Sequence, residues 1–372
     1  MTFDVAVVGA GPAGSSCAAL CAAAGRTTLL LERAQFPREK VCGDCLNPAS
    51  WEILDRLGAT AKLLAQPHIV LRSVHFIGIN DERLAFRFPH RARETIAIKR
   101  SILDNELLQC ARRAGAQIVE NAPVTELQRE NELNSDRAKV AAQRWCIRTA
   151  SAVFRARLLI AADGRNSTIA RMLHLLPATK SERIGLQRHV RRRAEFREGV
   201  ALHFFPGGYC GVAPVADEEM NICLVAKAAQ IEAGKAWATR RFGMNDDAPW
   251  RTIAPLSRRA LAPADDGVLL TGDAARVVEP FTGEGIFYAL ASGALAARCI
   301  IDGQIASYPA RHASLYRGRL WINQIARIAS LHPHLGTRLV RFGRSAPRLV
   351  QTLVDRVIGR ENADALTSAE AV

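Results

Sequence analysis

The sequence predicts an α/β protein in three parts: a domain built on a parallel sheet, a smaller domain built on an antiparallel sheet, and a set of C-terminal helices. Three observations lead there. An apolar strand runs straight into Gly9-x-Gly11-x-x-Gly14, two later apolar strands end in Asp163-Gly164 and Gly272-Asp273, and stretches 69–88 and 200–226 alternate short apolar runs with turn residues. With 372 residues, 49% of them hydrophobic, the chain can bury two moderate cores, and the usual sizes of domains favour that division.

In the first element Val5, Val7 and Val8 suit a buried parallel strand, and the glycines open a small-residue helix from Pro12 to Ala24. Gly9 permits the tight turn, Gly11 leaves the backbone bare for a pyrophosphate, and Gly14 lets the helix pack on the strand. Phosphates would then lie at a helix N-terminus, where free N–H groups and the macrodipole favour negative charge. Thr27 to Leu31 supplies a second strand with Glu32 at its end, placed to accept hydrogen bonds from an adenosine ribose. This is a Rossmann-like dinucleotide cradle. The N-terminus has no basic leader region and is broken by Gly9, Gly11 and Pro12, so it is expected to be retained. No uncharged apolar run reaches the length of a membrane span. Nine scattered cysteines, an odd number, point to reduced thiols and a cytoplasmic setting. Cys17 and Cys21 read as small core residues of the first helix.

The loop from Phe36 to Pro48 should lie close to the cofactor. Its Cys42-x-x-Cys45 spacing permits a redox disulfide, half of a metal site or plain structural cysteines. No second Cys/His pair with ligand spacing follows, so no metal site is expected. Ala49 to Leu57 reads as a helix closed by Gly58, and residues 69–88, with a turn at Asn80-Asp81, as a first excursion into the second domain. Lys99 and Arg100 begin a helix that ends at Gly115, followed by a strand from Gln117 to Val119. The polar stretch Arg129 to Arg137 reads as a hairpin loop, with strands resuming at Trp145 and Val153. A strand from Arg157 ends at Asp163-Gly164 and leads into a helix from Thr168 to Leu173. Val200–Phe205, Tyr209–Val215 and Met220–Ala226 read as antiparallel strands. After Gly272-Asp273, the segment Glu279-Pro280-Phe-Thr-Gly283-Glu284-Gly285-Ile286 opens a long alanine-rich helix.

The GxGxxG with terminal Glu32, the central Ala162-Asp163-Gly164-x-x-Ser167 and the late Gly272-Asp273 with Pro280-x-x-Gly283-x-Gly285 resemble FAD-dependent oxidoreductases of the p-hydroxybenzoate hydroxylase fold over most of residues 1–300. Within that group, Glu32-Arg33-x3-Pro37-x2-Lys40-x-Cys42-Gly-Asp44 with Pro280-Phe-Thr-Gly-Glu-Gly-Ile is most similar to the geranylgeranyl reductase family, whose members reduce isoprenoid double bonds with a reduced flavin. The resemblance implies an FAD-binding domain over residues 1–68, 96–175 and 265–304, a substrate domain over 69–95 and 176–264, and a basic helical region over 305–372. It implies FAD as cofactor, with NAD(P)H or another reductant, including a separate electron-donor protein, supplying electrons. The implied cofactor-binding residues are Gly9, Gly11, Ala13, Gly14, Glu32, Arg33, Arg100, Asp163, Gly272, Asp273, Pro280, Gly283, Gly285 and Ile286. Among them Glu32 would hold the adenosine ribose, Arg100 would lie near the FAD backbone, Asp163 would face the cofactor, and Asp273 would bind its ribityl or phosphate portion. Gly283 and Gly285 would bring backbone N–H groups to the isoalloxazine, with the positive end of the following helix aimed at the pyrimidine where reduction places negative charge. Cys42 would be a catalytic proton donor or shape the pocket, and Tyr209 would be catalytic or a core residue.

The implied activity is reduction of a carbon–carbon double bond in a bulky lipophilic substrate. Where the reductase family carries Tyr-x-Trp-x-Phe-Pro, this chain has Tyr209-Cys-Gly211-Val-Ala213-Pro214, which opens space in the substrate cavity. An FAD-dependent monooxygenase hydroxylating an alkyl or polyketide-type phenol is the second reading, and a non-catalytic flavin electron carrier the third. The Gly-Trp-x-Trp-x-Ile-Pro segment of tryptophan halogenases is missing. The formal net charge is +14, and residues 311–360 hold ten arginines, no lysine and one acid, Asp355. Pro347 opens a final helix with Leu349, Val350, Leu353, Val354, Val357 and Ile358 on one stripe, either docked on the protein or resting on anionic lipid as a peripheral membrane contact. No aromatic-interleaved basic motif accompanies the charge, which argues against nucleic acid as partner.

Overall fold

The computed structural model describes residues 2–89, 93–131, 143–177, 183–244 and 248–358. At its centre the strand Thr2–Val8 pairs in parallel with Thr28–Leu31 on one side and Val153–Ala161 on the other. Gln117–Val119 and Val268–Leu270 extend the parallel run at the two ends. Val5, Val7, Leu30 and Ile160 are fully buried because both faces of the sheet are covered, which is why these strands read as unbroken apolar runs. The helices Pro12–Ala23, Arg100–Arg113 and Gly285–Ile301 share one core with Val5, Val7 and Leu30. Small residues let the first and last of these approach closely: a Cβ on Gly293 would stand 2.1 Å from the Ala13 carbonyl oxygen. Val124–Asn131 and Gln143–Thr149 form an antiparallel hairpin on the sheet. The expected loop from Arg129 therefore begins as strand, and its residues 132–137 lie outside the described residues.

The second sheet has seven strands, in the order Arg251–Ile253, Arg183–Arg191, Glu219–Lys227, Gly208–Ala216, Gly199–Phe205, Ser73–Ile77 and Arg83–Arg87. It departs from the antiparallel expectation at one seam, where Gly199–Phe205 runs parallel to Ser73–Ile77; the two come from separate excursions of the chain, so no tight hairpin joins them. The strand Arg183–Arg191 and the helix Ile231–Phe242 were not foreseen from sequence. Side chains alternate between faces along each strand. Ala201 and Phe205 meet the core around that helix, whereas Leu202 and Phe204 face Ala329, Val340 and Val354 of the terminal helices Leu320–Leu331, Pro333–Ser345 and Pro347–Ile358. A small sheet of Cys45–Leu46, Thr95–Ala97 and Ile69–Leu71 lies at the junction. All nine cysteines are free thiols, including Cys42 and Cys45, and Cys17 and Cys21 are buried. Among the described residues no helix is long and apolar enough to cross a membrane, and no group of three or more His, Cys, Asp or Glu could hold a metal ion.

Candidate functional site

A cavity of about 920 Å³ extends from the glycine turn, across the second sheet, to the underside of the terminal helices. Of the residues singled out above, Gly9, Gly11, Ala13, Glu32, Arg33, Cys42, Arg100, Asp163, Tyr209, Gly272, Asp273, Pro280, Gly283, Gly285 and Ile286 line it. Gly14 does not; it packs beneath, where a Cβ would stand 1.8 Å from the Gly9 carbonyl oxygen.

The three motifs converge through backbone. Gly9 has a φ of +101°, and a Cβ there would lie 2.6 Å from the Ala162 carbonyl oxygen and 2.7 Å from Asp163 Cα. Glu32 Oε2 accepts from the Ala10 N–H (2.7 Å) and Oε1 from the Ala34 N–H (3.0 Å), leaving lone pairs for further donors. Asp163 is partly a structural residue: its Oδ2 accepts from the N–H groups of Thr168 (2.6 Å) and Ile169 (3.1 Å), at the start of the helix Thr168–Met172. Its Oδ1 is buried with no hydrogen-bond partner, and burial raises the carboxyl pKa. Arg165 Nη2 donates to Asp273 Oδ2 at 3.0 Å.

Sequence reasoning missed most of the positive charge at this end. Arg38, Lys40 and Arg165 line the cavity with Arg100. Arg38 Nη1 lies 3.1 Å from Asp104 Oδ2, and Arg100 holds the same carboxylate bidentately at 2.7 and 2.7 Å. Burial and then the neighbouring Arg100, Arg38 and Arg165 lower Lys40 from its ordinary 10.5 to about 8. A Cβ on Gly11 would have a single neighbour within 4 Å, Arg38 Nη2 at 3.8 Å. Bare backbone at a helix N-terminus, crowded cations and an unsatisfied buried Asp163 oxygen together fit the diphosphate and polyol of FAD. Two basic residues in the loop before Cys42 were the available signal, but a loop sequence does not say which way its side chains fold back.

The cysteine loop is fixed by its main chain. The Cys42 carbonyl oxygen accepts from Gln187 Nε2 (2.9 Å), Asn221 Nδ2 (2.7 Å) and Cys223 Sγ (2.9 Å). Asp44, at φ +57°, lies fully buried with Oδ2 2.7 Å from His189 Nε2. Burial pushes the Cys42 thiol pKa up, against the pull of Arg100 beside it, so the thiol keeps its proton near neutral pH. The other half of the cavity is apolar. The ring of Phe281 lies 5.0 Å from Tyr209, 5.9 Å from Phe204 and 6.2 Å from Phe76. Burial holds the Tyr209 phenol protonated.

Comparison with known proteins agrees with this geometry. The family described as "FAD binding domain" matches residues 2–298. A conditioned medium factor receptor 1 from Dictyostelium discoideum is 29% identical, over 91% of this chain and 71% of that one. A menaquinone reductase from Mycolicibacterium smegmatis is 30% identical over 82% of this chain and 78% of its own length. A digeranylgeranylglycerophospholipid reductase from Methanopyrus kandleri is 29% identical over 80% and 76%. Among solved structures, the flavin-dependent brominase Bmp2 superposes with a TM-score of 0.77 at 21% identity, covering 96% of this chain and 94% of its own, which shows a shared fold.

Proposed function

We propose, from the premise that the chain belongs to the FAD binding domain family and is an FAD-dependent oxidoreductase, that it reduces a carbon–carbon double bond in a bulky lipophilic substrate. The observation that carries this reading is one cavity lined both by the cations Arg38, Lys40, Arg100 and Arg165 and by the apolar Phe76, Phe204, Tyr209 and Phe281, with Cys42, whose thiol pKa burial raises, among the lining residues. The chain's similarity to a menaquinone reductase and to a digeranylgeranylglycerophospholipid reductase supports it.

In this reading the turn from Gly9 to Gly14, with Arg38, Lys40 and Arg100, receives the pyrophosphate. Glu32 and Arg33 flank the adenosine, Asp163, Gly272 and Asp273 the linking polyol, and Ala13, Pro280, Gly283, Gly285 and Ile286 the ring system. Bound and reduced, FAD supplies hydride. The chain's own residues do the rest: Phe76, Phe204, Tyr209 and Phe281 hold the apolar substrate and exclude water, the start of the helix Gly285–Ile301 favours negative charge at the ring, and Cys42 Sγ–H gives a proton to substrate carbon. A reduced enzyme incubated with a panel of prenylated and phenolic compounds, read by product mass and oxygen consumption, tests the assignment. Hydroxylation of an alkyl phenol is the second reading, favoured by Gly211 and Ala213, which line the cavity where bulkier residues would narrow it.

Lys40 gives a pH dependence. An ammonium depressed to about 8 in the free protein is raised again by a neighbouring diphosphate, so FAD binding takes up a proton as pH rises above 8. FAD affinity is therefore expected to be level below pH 8 and to fall above it. Lys40→Met should bind FAD more weakly and flatten that fall; an unaltered profile in Lys40→Met would remove Lys40 from the phosphate site.

The terminal helices suggest how a lipophilic molecule arrives. Leu320, Trp321, Ile325, Ile328, Leu335, Leu339, Phe342 and Leu349 are all exposed, and Ile325, Leu339, Phe342 and Leu349 also line the cavity. Arg338, Arg341, Arg344 and Arg348 are interleaved with them. In our reading this face rests on an anionic membrane as a peripheral contact, apolar side chains inserted and arginines at the headgroups. The protein should sediment with anionic liposomes at low salt, and Trp321→Ser/Phe342→Ser should sediment far less. Failure of the parent protein to sediment would refute the membrane contact.

A further inference from the structure

Three polar bridges join the terminal helices to the turn Glu279–Gly285, and we propose that Arg183 is a positioning residue that fixes this turn against the flavin ring without itself touching the cofactor. The inference rests on the FAD reading above. Arg183 opens the strand Arg183–Arg191 and its side chain is only 2% exposed. Nη1 donates to Glu279 Oε1 at 3.1 Å and Nη2 to Oε2 at 2.8 Å, while Nη1 also donates to Ser330 Oγ at 2.5 Å on the helix Leu320–Leu331. The Glu279 backbone N–H donates to Asn323 Oδ1 of the same helix at 2.9 Å, and its carbonyl accepts from Thr282 Oγ1 at 3.1 Å. Farther along the turn, Glu284 Oε1 lies 4.0 Å from Arg319 Nη1, and that guanidinium donates to the Arg356 carbonyl of the last helix.

None of Arg183, Glu279, Asn323, Ser330 or Arg319 lines the cavity. The turn they hold does: Glu279 immediately precedes Pro280 and Phe281, which line the cavity, and the turn ends in the lining residues Gly283 and Gly285 at the start of the helix Gly285–Ile301. A buried ion pair is weak as a source of stability, because desolvation offsets its attraction and apolar residues of similar volume often serve as well. What a bidentate fork supplies is geometry, since it fixes the plane and distance of the carboxylate. Here that geometry is handed to the turn whose N–H groups would face the developing charge of a bound, reduced flavin, so slack in the fork should weaken stabilisation of the reduced state.

The test is the two-electron midpoint potential of the purified holoenzyme, measured with its visible spectrum and FAD affinity. In Arg183→Met/Glu279→Met both charges go together, which spares the fold an unpaired buried ion. We expect it to retain FAD and to lose about tenfold in relative stability of the reduced flavin, a fall of about 30 mV. Arg183→Lys, a point charge without the fork, should fall part of the way, and Asn323→Ala, which removes only one neutral hydrogen bond, should shift in the same direction by less. Should the double variant fail to fold, the two single variants decide. Potentials and spectra equal to the parent would overturn the positioning role. A parent protein that binds no FAD would overturn the cofactor reading as well, a distinguishable result.

Discussion

Gly11→Val should fold normally and fail to retain FAD. The backbone at Gly11 has a φ of −72°, which valine adopts readily, and the free protein has space for the side chain, with Arg38 Nη2 at 3.8 Å the one atom near its Cβ. That space is where the diphosphate would pass. Forcing a branched side chain into a filled site typically costs about 1–3 kcal/mol, on the order of ten- to a hundredfold in Kd, and lost phosphate hydrogen bonds add to it. Gly14→Ala should do the reverse. Its Cβ would meet the Gly9 carbonyl oxygen at 1.8 Å, so the helix must move off the strand and stability falls before any cofactor is present. Urea midpoints and fluorescence titration with FAD separate the two outcomes. Full FAD in Gly11→Val would mean that the cradle is misplaced.

Cys42→Ser should keep both fold and FAD and slow double-bond reduction by roughly a hundredfold or more, the usual worth of a general acid. The loop is held through the Cys42 carbonyl by Gln187, Asn221 and Cys223, so exchanging sulfur for oxygen leaves those three anchors in place. A serine hydroxyl is a far weaker acid than a thiol and transfers its proton less readily. Cys45→Ser should change turnover little. Unchanged turnover in Cys42→Ser would exclude the proton-donor role, and oxygen uptake with hydroxylated product in that variant would favour the monooxygenase reading.

What could be read from sequence is what depends on local spacing. The glycine turn, the buried strands on either side of it and the Gly283/Gly285 turn each carry their signal within a dozen residues, and the structure brings them around one cavity. Asp163 was legible as a residue facing that cavity but not as an acceptor for the first N–H groups of the helix Thr168–Met172, because those bonds depend on where the next turn of chain bends. The terminal stripe on Pro347–Ile358 left two alternatives, and the structure docks only one side of it: Val354 is 8% exposed against the sheet, whereas Leu349 is 54% exposed. Arg38 and Lys40, the Asp44–His189 contact and the Arg183–Glu279 pair were not legible. The last two join residues 145 and 96 positions apart, and nothing in the intervening chain encodes which charge will meet which.

The most direct test of the central claim is a single turnover without oxygen. The holoenzyme is reduced anaerobically and mixed with an isoprenoid lipid that carries an alkene and no quinone, while flavin absorbance is followed and product is analysed by mass. The account predicts that oxidised flavin reappears in step with a product heavier by two hydrogens. Flavin that stays reduced with every alkene and reoxidises only when air is admitted, with oxygen appearing in a phenolic product, would contradict it.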